Sequence, residues 1–447
     1  MSQTLRSFLD SLRQSGQLLV ADKEVDPRFE LNAVVRKVQS GINLPILFNK
    51  VRGTRYRVVS NTLGNYAIIA GLLGETPSGV ARKWSELTSS MDGGSLPQFP
   101  PAGAEYEEIS LDDIPHITFS EKDGGPYITA GVVTARDPDT SVVNLSYHRM
   151  QIISRTELRL RLSTSGDLYR MQQSQEKRGQ PLRAVIAIGL PPAVMLAAGS
   201  TIGPSASEYD FAARIASGKF PLRTLDGDDI PVSDSSEFLI EGEILPTERR
   251  REGPFGEWMD YYVQPMDNHV FNVRRVLARK DAIFYAISAG SSEELAMTAI
   301  PIAGSIFNAV RTWVPQVKDV ACFPLLQFCV IQLGPHSEGQ PNRALLAAFG
   351  AEMNRVMYGV VVDEDVDIHN WQDVLWAIAT RCRPDRDVFI VPGVPSFARD
   401  KHKMHWGRLG IDATVPIGHE ADFERKRTPM LSDIRLEDYI PQLKQRI

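Results

Sequence analysis

The amino-acid sequence predicts a multidomain protein of mixed α+β and α/β class, with a central antiparallel sheet, closed or split as a barrel, between two α/β regions. Three observations predict this fold class. The chain has 447 residues, of which 43% are hydrophobic. This length is greater than a single hydrophobic core usually supports, so two or three packed domains are expected. Helix-like and strand-like patterns alternate near both ends of the chain. Between them, from about residue 125 to 290, period-two alternation dominates.

The first domain is predicted over residues 1–105. It opens with an amphipathic helix that ends near Gly16, because its apolar residues follow helical spacing rather than the continuous run of a signal peptide. A second helical stripe and a strand-like run come next. The apolar positions are Leu5, Phe8, Leu9 and Leu12, then Leu31, Val34, Val35 and Val38, then residues 45–48. A Pro- and Gly-rich stretch at residues 90–106 lacks periodicity and predicts a linker at the domain boundary.

The second domain is predicted over residues 106–305. Two pairs of alternating runs flank short polar turns, which is typical of β-hairpins. One pair surrounds the turn at residues 136–140, and the other surrounds the turn at residues 279–281. A further run alternates at residues 157–163, and a helix is expected after Asp167. Together these runs predict the antiparallel sheet.

The third domain is predicted over residues 306–447, where helical and strand patterns alternate again. Strands are expected at residues 329–333, 356–362 and 388–391, with helices at residues 343–355 and 371–381. The tail, from about Asp422, is rich in charge and ends in a short amphipathic helix with Leu431, Leu436, Tyr439 and Ile440. We expect this helix to dock against another domain or subunit, so the third domain is predicted to support oligomerisation.

Composition excludes several classes of function. The net charge is −6 and the basic residues are dispersed, which argues against a nucleic-acid or membrane-surface role. The uncharged stretch at residues 184–207 is long enough to span a bilayer, but Pro191 and Pro192 interrupt it, so we predict a buried strand, a turn and a loop. Three cysteines without CxxC spacing are expected to be buried thiols. A cytoplasmic protein with a small-molecule partner is therefore expected.

The segment from Glu252 to Glu257, Glu-Gly-Pro-Phe-Gly-Glu, is the most specific in the chain. Two carboxylates bracket a constrained turn, so their separation is fixed. Such a pair allows one carboxylate to stay ionised while the other has a raised pKa and donates a proton. The alternative is a solvated loop with incidental acidic residues.

A second candidate segment runs from Asn144 to Met150, at the end of an apolar strand. Asn144, Ser146 and His148 share one face of that strand, and Arg149 points to the other face unless the strand bends. An arginine there would hold a carboxylate through two parallel hydrogen bonds or pair with a glutamate, whereas a purely structural role is the alternative.

A third segment, at residues 197–211, places small residues before Glu208 and would suit a phosphate or an ion. The sequence lacks the common fingerprints of dinucleotide-binding, P-loop, zinc-protease and serine-hydrolase sites.

Taken in order, these segments resemble the UbiD-type decarboxylases, which use prenylated FMN. The matching segments cover most of the chain and are Asp123–Gly131, Asn144–Met150, Gly189–Ser200, Ser207–Phe211, Glu252–Glu257 and Asp363–Arg381. The resemblance implies that the middle domain is a split β-barrel of the flavin-binding type. It also implies reversible, non-oxidative decarboxylation of an α,β-unsaturated, aromatic or heteroaromatic acid through a covalent adduct with the modified flavin.

The resemblance implies roles for individual residues. Arg149 and Glu252 would form the pair at the substrate carboxylate, and Glu257 would protonate the carbon that loses carbon dioxide. The flavin would lie along Ser146, Tyr147, His148 and Arg149. Further cofactor contacts are implied for Ala198, Ser200, Glu208 and Arg408, the last as a basic contact to the phosphate, with potassium held by the backbone near residues 197–200.

The resemblance also implies a divalent metal, Mn²⁺ or Mg²⁺, bound by Asn144 and Glu208, with K⁺ nearby. The third metal ligand in the family is commonly a histidine, and this chain has Asp167 at the best-aligned position, with Ser165 as the other choice. Oxygen ligands suit such a hard cation. A flavin prenyltransferase would supply the cofactor, and the protein would form a homodimer or a larger homo-oligomer.

The substrate is left open by the sequence. Family members that act on five-membered heteroaromatic acids often carry a histidine just before the helix predicted at residues 296–310, and this chain has Glu294 and Leu295 there. Three alternatives remain for the activity: carboxylation in the reverse direction, a flavin-binding scaffold without turnover, and an ordinary FMN oxidoreductase. The last would need a site for a hydride donor, and no nicotinamide motif is visible.

Overall fold

The computed structural model describes residues 4–89, 91, 103–218, 221–225, 229–322, 325–394, 406–426, 428–430 and 433–440. Most of the linker predicted at residues 90–106 lies outside the described residues, as does Leu431 of the tail. Within the described ranges, no helix is both long enough and apolar enough to cross a membrane.

The N-terminal part of the chain packs helices against a small mixed sheet. Thr4 caps the first helix by accepting the backbone N–H of Ser7, and the apolar stripe predicted for this helix is buried. The elements are α1 (Leu5–Gln14), β1 (Leu19–Ala21), α2 (Glu30–Gln39), β2 (Ile46–Phe48), β3 (Arg57–Ser60), α3 (Tyr66–Leu72) and α4 (Val80–Thr88).

The central part of the chain forms a curled antiparallel half-barrel, which confirms the predicted fold class. A helix begins at Asp167, as predicted. The elements of this part are β4 (Tyr106–Ile109), β5 (Tyr127–Ile128), β6 (Val132–Arg136), β7 (Val143–Tyr147), β8 (Met150–Ser154), β9 (Glu157–Leu160), α5 (Asp167–Lys177), β10 (Leu182–Ile188), α6 (Pro192–Ala198), α7 (Glu208–Ile215), β11 (Leu222–Arg223), β12 (Val232–Ser233), β13 (Phe238–Glu252), β14 (Phe255–Gly256), β15 (Tyr262–Val263), β16 (Met266–Arg279) and β17 (Ile283–Tyr285).

The half-barrel has the strand order β5-β8-β9-β16-β13-β10-β6-β7, with β4 paired to one end of β16. The two longest strands, β13 and β16, pair with each other at the centre of the sheet. The predicted hairpin around residues 136–140 is present as β6 and β7. Buried residues of the half-barrel and of the N-terminal part belong to one continuous core, so the two parts pack as one body.

The hairpin predicted around residues 279–281 is wrong. β17 does not pair with β16; it returns to the N-terminal sheet and pairs in parallel with β3, giving the order β1-β2-β3-β17. The end of β16 is already paired on both sides, with β4 and with β13, so no edge is left there for β17. Alternation in a sequence identifies a strand but not its partner.

The loop predicted after Pro191 and Pro192 is also wrong in part. Pro192 begins the short helix α6, where proline is favoured because the first turn has no use for its missing N–H. A loop does follow, and Ser207 then caps α7 by accepting the backbone N–H of Tyr209. Both helices pack near β7 of the half-barrel.

The C-terminal part is a second α/β layer, as predicted, with the strand order β18-β19-β20-β22-β21. The helix predicted at residues 371–381 has those bounds, and the one predicted at residues 343–355 begins three residues earlier. The elements are α8 (Ser292–Trp313), β18 (Val317–Ala321), β19 (Phe328–Leu333), α9 (Gln340–Ala351), β20 (Tyr358–Asp363), α10 (Trp371–Arg381), β21 (Val388–Val394), β22 (Trp406–Asp412) and α11 (Leu436–Tyr439). The helix α8 joins this layer to the rest, because it contributes buried residues to both cores.

Candidate active site

The turn between Glu252 and Glu257 is held by the segment that precedes β5. The Asp123 carboxylate accepts the backbone N–H groups of Ser120 and Gly256, at 2.8 and 2.9 Å. The N–H of Gly124 donates to the Pro254 carbonyl at 2.8 Å, so the two backbones lie in direct contact. A Cβ atom on Gly124 would lie 2.4 Å from the Gly253 carbonyl oxygen, which explains why this position needs glycine.

Arg149 lies between β7 and β8, where the chain leaves the sheet for two residues, and this break turns its side chain inward. Its guanidinium contacts both carboxylates of the turn. Nε and Nη2 donate to the two oxygens of Glu252 at 3.1 and 2.8 Å, and Nη1 donates to Glu257 at 2.5 Å. The guanidinium carbon lies 4.9 Å from the centre of the Phe255 ring. The structure therefore brings the three predicted catalytic residues into one cluster.

Glu252 is the anchor of this cluster. Its side chain is inaccessible to solvent, and besides Arg149 it accepts the Tyr127 hydroxyl and the Asn268 amide, each at 2.8 Å. Glu257 has one face toward a cavity and is 7% exposed. Burial, reinforced by the charge of Glu252, raises the pKa of Tyr127, so Tyr127 remains a hydrogen-bond donor. The two carboxylates thus differ in surroundings: one is saturated with donors and the other reaches the cavity.

A polar chain runs along the inner face of β7. The Asn144 amide lies 3.1 Å from Ser146 Oγ, which in turn lies 2.9 Å from His148 Nε2. His148 Nδ1 lies 3.0 Å from the Arg161 carbonyl, which only accepts, so Nδ1 carries the proton and Nε2 accepts from Ser146. Burial lowers the pKa of His148 to about 4, so the ring is neutral. The shared face predicted for Asn144, Ser146 and His148 is present.

These residues border a cavity of about 380 Å³ between the half-barrel and α8. Six of the predicted site residues line it: Ser146, Tyr147, His148, Arg149, Ala198 and Glu257. The opposite wall is contributed by Glu294, Met297 and Thr298 of α8. The remaining lining residues include Phe255, Trp258, Ile287 and Leu326, which are largely apolar. A carboxylate-bearing ligand with an apolar body fits such a cavity.

The predicted metal ligands are partly brought together. Glu208 begins α7 and accepts the backbone N–H of Leu145 at 2.8 Å, which places it beside Asn144. Asp167 begins α5, is 40% exposed and lies 3.4 Å from the Arg170 guanidinium. Ser165 Oγ lies 3.2 Å from the hydroxyl of Ser163, a cavity residue. Among the described residues, no group of three or more His, Cys, Asp and Glu is arranged to hold a metal ion.

The charged groups near the cavity fit an anionic cofactor that is bound together with a cation. Burial raises the pKa of Glu208 to about 8, and a nearby cation would favour its ionised form. Nη1 of Arg161 is buried and has no hydrogen-bond partner among the described residues, although Arg161 lines the cavity. It lies next to Arg149 across the β8–β9 pair, where the Arg161 N–H donates to the Arg149 carbonyl. An anion in this part of the cavity would satisfy it.

Two predicted cofactor residues have other surroundings. Ser200 follows α6, and its hydroxyl donates to the Ala197 carbonyl. Arg408 is fully buried in β22, is not among the cavity residues, and donates to the carbonyl oxygens of Met353 and Gly407. The arginine from this layer that lines the cavity is Arg355. Sequence reasoning did not single out Arg161 or Arg355. Arg161 ends a short alternating run whose sequence does not show which face meets the cavity, and Arg355 reaches the site only through the packing of the C-terminal layer.

Comparison with known proteins gives family matches along most of the chain. Residues 9–88, 98–292 and 296–413 match the N-terminal domain, the Rift-related domain and the C-terminal domain of 3-octaprenyl-4-hydroxybenzoate carboxy-lyase. The sequence is 32% identical to the anhydromevalonate phosphate decarboxylase of Methanothermobacter thermautotrophicus, over 94% of this chain and 99% of that protein.

Solved structures of two proteins share the fold over almost their whole length. The UbiD-class enzyme HmfF from Pelotomaculum thermopropionicum, in complex with FMN, has a TM-score of 0.91 and 33% identity, covering 98% of this chain and 100% of its own. An evolved dimeric form of HmfF was solved with prenylated FMN. The 3,4-dihydroxybenzoic acid decarboxylase AroY of Klebsiella pneumoniae has a TM-score of 0.89 and 25% identity, covering 98% and 99%.

The fold, the arginine–carboxylate cluster and these matches define a carboxy-lyase, an enzyme that removes carbon dioxide from a carboxylic acid. The chain belongs to the UbiD family, whose structural representatives bind FMN or prenylated FMN.

Proposed function

We propose that this protein catalyses the reversible, non-oxidative decarboxylation of an α,β-unsaturated, aromatic or heteroaromatic carboxylic acid. The observation that carries the proposal is the Arg149 guanidinium, which bridges Glu252 and Glu257 at the wall of the cavity. The relatives are named as decarboxylases of anhydromevalonate phosphate and of 3,4-dihydroxybenzoic acid, which supports a broad class of substrate. The cavity would admit an acid whose body is apolar and flat.

Arg149 would orient the substrate carboxylate, since a guanidinium presents parallel donors to it. Glu252 would hold Arg149 in place, because its own oxygens are fully engaged by Arg149, Tyr127 and Asn268. Glu257, which faces the cavity, would deliver the proton to the carbon that loses carbon dioxide. The same residues would serve the reverse carboxylation, and the pressure of carbon dioxide would set the direction.

Prenylated FMN, when bound, would supply the electron sink for this chemistry. We propose that Asn144 and Glu208 bind Mn²⁺ or Mg²⁺ at its phosphate, with Asp167 or Ser165 as the third ligand and K⁺ near Ala198 and Ser200. Ser146, Tyr147 and His148 would line the flavin. Arg408 donates to the carbonyl of Met353, in the segment that carries Arg355. It would therefore support the phosphate site by holding that segment in place.

The cellular setting completes the proposal. A flavin prenyltransferase would supply the cofactor, and the protein would act in the cytoplasm as a homodimer or larger homo-oligomer, with no nucleic-acid or membrane partner. The existence of an evolved dimeric form of HmfF supports such an assembly.

The role of Glu257 is tested with Glu257→Gln in protein produced together with a flavin prenyltransferase. We expect carbon dioxide release from a panel of cinnamic, aromatic and heteroaromatic acids by the unaltered enzyme, and a loss of at least about 100-fold in the variant at equal flavin content. Asp260→Asn is the matched control, because Asp260 lies in the same loop and is exposed. Normal turnover in Glu257→Gln would remove this residue from its role.

The cofactor site is tested with Glu208→Ala, measured by flavin absorbance and by metal content. We expect both to fall together, because the buried carboxylate would no longer hold the cation that bridges to the phosphate. A fully loaded and active Glu208→Ala variant would show that the ion is bound elsewhere.

A further inference from the structure

Two adjacent glutamates begin α8, and the structure gives them different surroundings. Glu293 is completely buried and accepts three donors: the backbone N–H groups of Asn61 and Leu63, at 2.7 and 2.8 Å, and the Tyr285 hydroxyl. These contacts tie α8 to the end of β3. Glu293 is therefore a structural carboxylate, and it is not among the residues that line the cavity.

Glu294 instead lines the cavity that contains Arg149 and Glu257. One oxygen, Oε2, accepts the backbone N–H of Gly290 at 2.7 Å, and the Glu294 N–H donates to the Ser291 hydroxyl at 3.2 Å. The first contact positions the side chain, and the second caps the start of the helix. Among the described residues, none donates a hydrogen bond to the other oxygen, Oε1.

The rest of the cavity offers little that would compete with this oxygen. Its lining combines apolar side chains with hydroxyl groups, His148 and arginines, and the carboxylates that line the cavity are Glu257 and Glu294. Burial raises the pKa of Glu294, while the Gly290 N–H and the charges of Arg36 and Arg149 oppose that rise. A ligand N–H or O–H group would stabilise the ionised carboxylate, and a second ligand anion would be repelled.

We infer that Glu294 determines specificity: it accepts a hydrogen bond from an N–H or O–H group of the substrate, so the enzyme selects acids that carry such a donor in addition to the reacting carboxylate. The inference rests on the proposed function of the cavity and narrows its substrate class. Its rival is Arg355, which lines the same cavity, lies 3.8 Å from Glu352, and would favour an acid with a second anionic group.

Matched acids separate these possibilities in the holoenzyme. Pyrrole-2-carboxylate and furan-2-carboxylate are similar in size, but only the first donates an N–H, and 4-hydroxybenzoate and 4-methoxybenzoate form a second such pair. Furan-2,5-dicarboxylate supplies a second anion. For each acid, the dissociation constant is measured by calorimetry and the release of carbon dioxide is measured separately.

The variant is Glu294→Gln, which keeps an oxygen for the Gly290 N–H and turns an amide N–H₂ toward the ligand. We expect the unaltered enzyme to prefer donor-bearing acids by about 10- to 100-fold, the range of a hydrogen bond to a charged acceptor. Glu294→Gln should lose that preference while binding the donor-free acids within about threefold of the unaltered enzyme. Thr298→Val, one helical turn further on and also in the cavity wall, is the control and should keep the preference.

Each outcome assigns the failure. An unchanged preference in Glu294→Gln overturns the inference, and so does tightest binding of the dicarboxylate, which would assign specificity to Arg355. Selective binding of donor-bearing acids without release of carbon dioxide supports the inference and refutes the proposed function. Binding of none of the acids refutes both.

Discussion

Replacing Gly124 by alanine tests whether the position of the Glu252–Glu257 turn controls the reaction. The added Cβ would lie 2.4 Å from the Gly253 carbonyl oxygen, and restoring an ordinary contact of 3.4 Å requires a shift of about 1 Å. The backbone fixes the positions of both the Cβ atom and the carbonyl oxygen, so no side-chain rotation relieves the contact. The shift would disturb the hydrogen bond from the Gly124 N–H to the Pro254 carbonyl and carry Glu252 and Glu257 with it.

A displacement of about 1 Å in a catalytic group costs about 100-fold in rate, or about 2.7 kcal/mol of barrier. Such overpacking also lowers stability by about 1–3 kcal/mol, so the fold should survive. The assay is carbon dioxide release by flavin-loaded protein, with circular dichroism and thermal unfolding as checks on the fold. The rate constant, and not cofactor loading, is expected to fall.

Gly71→Ala is the matched control, because a Cβ at Gly71 in α3 would meet nothing within 4 Å. We expect that variant to keep full activity and to be slightly more stable, since alanine is favoured over glycine in a helix. A folded Gly124→Ala enzyme with activity within twofold of the unaltered protein would refute the reasoning, because the turn would then tolerate the displacement.

Three other perturbations have defined outcomes. Tyr127→Phe removes one donor from buried Glu252 and should lower the free energy of unfolding by about 1.5–3 kcal/mol in urea denaturation; an unchanged value would show that Glu252 does not depend on it. Burial lowers the pKa of His269 from 6.5 to about 4, so its contribution to stability is complete above pH 6.5 and is lost as the pH falls toward 4. His269→Gln should therefore reduce the loss of stability between these pH values in thermal unfolding, leaving the part due to His148, and an unchanged slope would contradict this. Arg161→Gln should reduce flavin retained per chain after gel filtration; equal retention would argue against an anion at Nη1.

Much of the fold was predictable because its signals are local. Helical spacing at Leu5–Leu12 and alternation along β6 and β7 depend on which face of each element is buried, and this is written in neighbouring residues. The hairpin predicted at residues 279–281 failed for the opposite reason. The β17 strand has the right pattern, but its partner β3 lies more than two hundred residues away in the chain.

The sequence by itself determined which residues could do the chemistry, since Glu252 and Glu257 are fixed by one short turn and Asn144, Ser146 and His148 by one strand. Only the tertiary structure decided how they meet. The break between β7 and β8 turns Arg149 onto both carboxylates, and the return of the chain through β17 to α8 brings Glu294 to the opposite wall. The tertiary structure also gives Glu293 and Glu294 different surroundings, which the sequence alone does not distinguish. Their burial and hydrogen bonding depend on which segments pack around the start of α8.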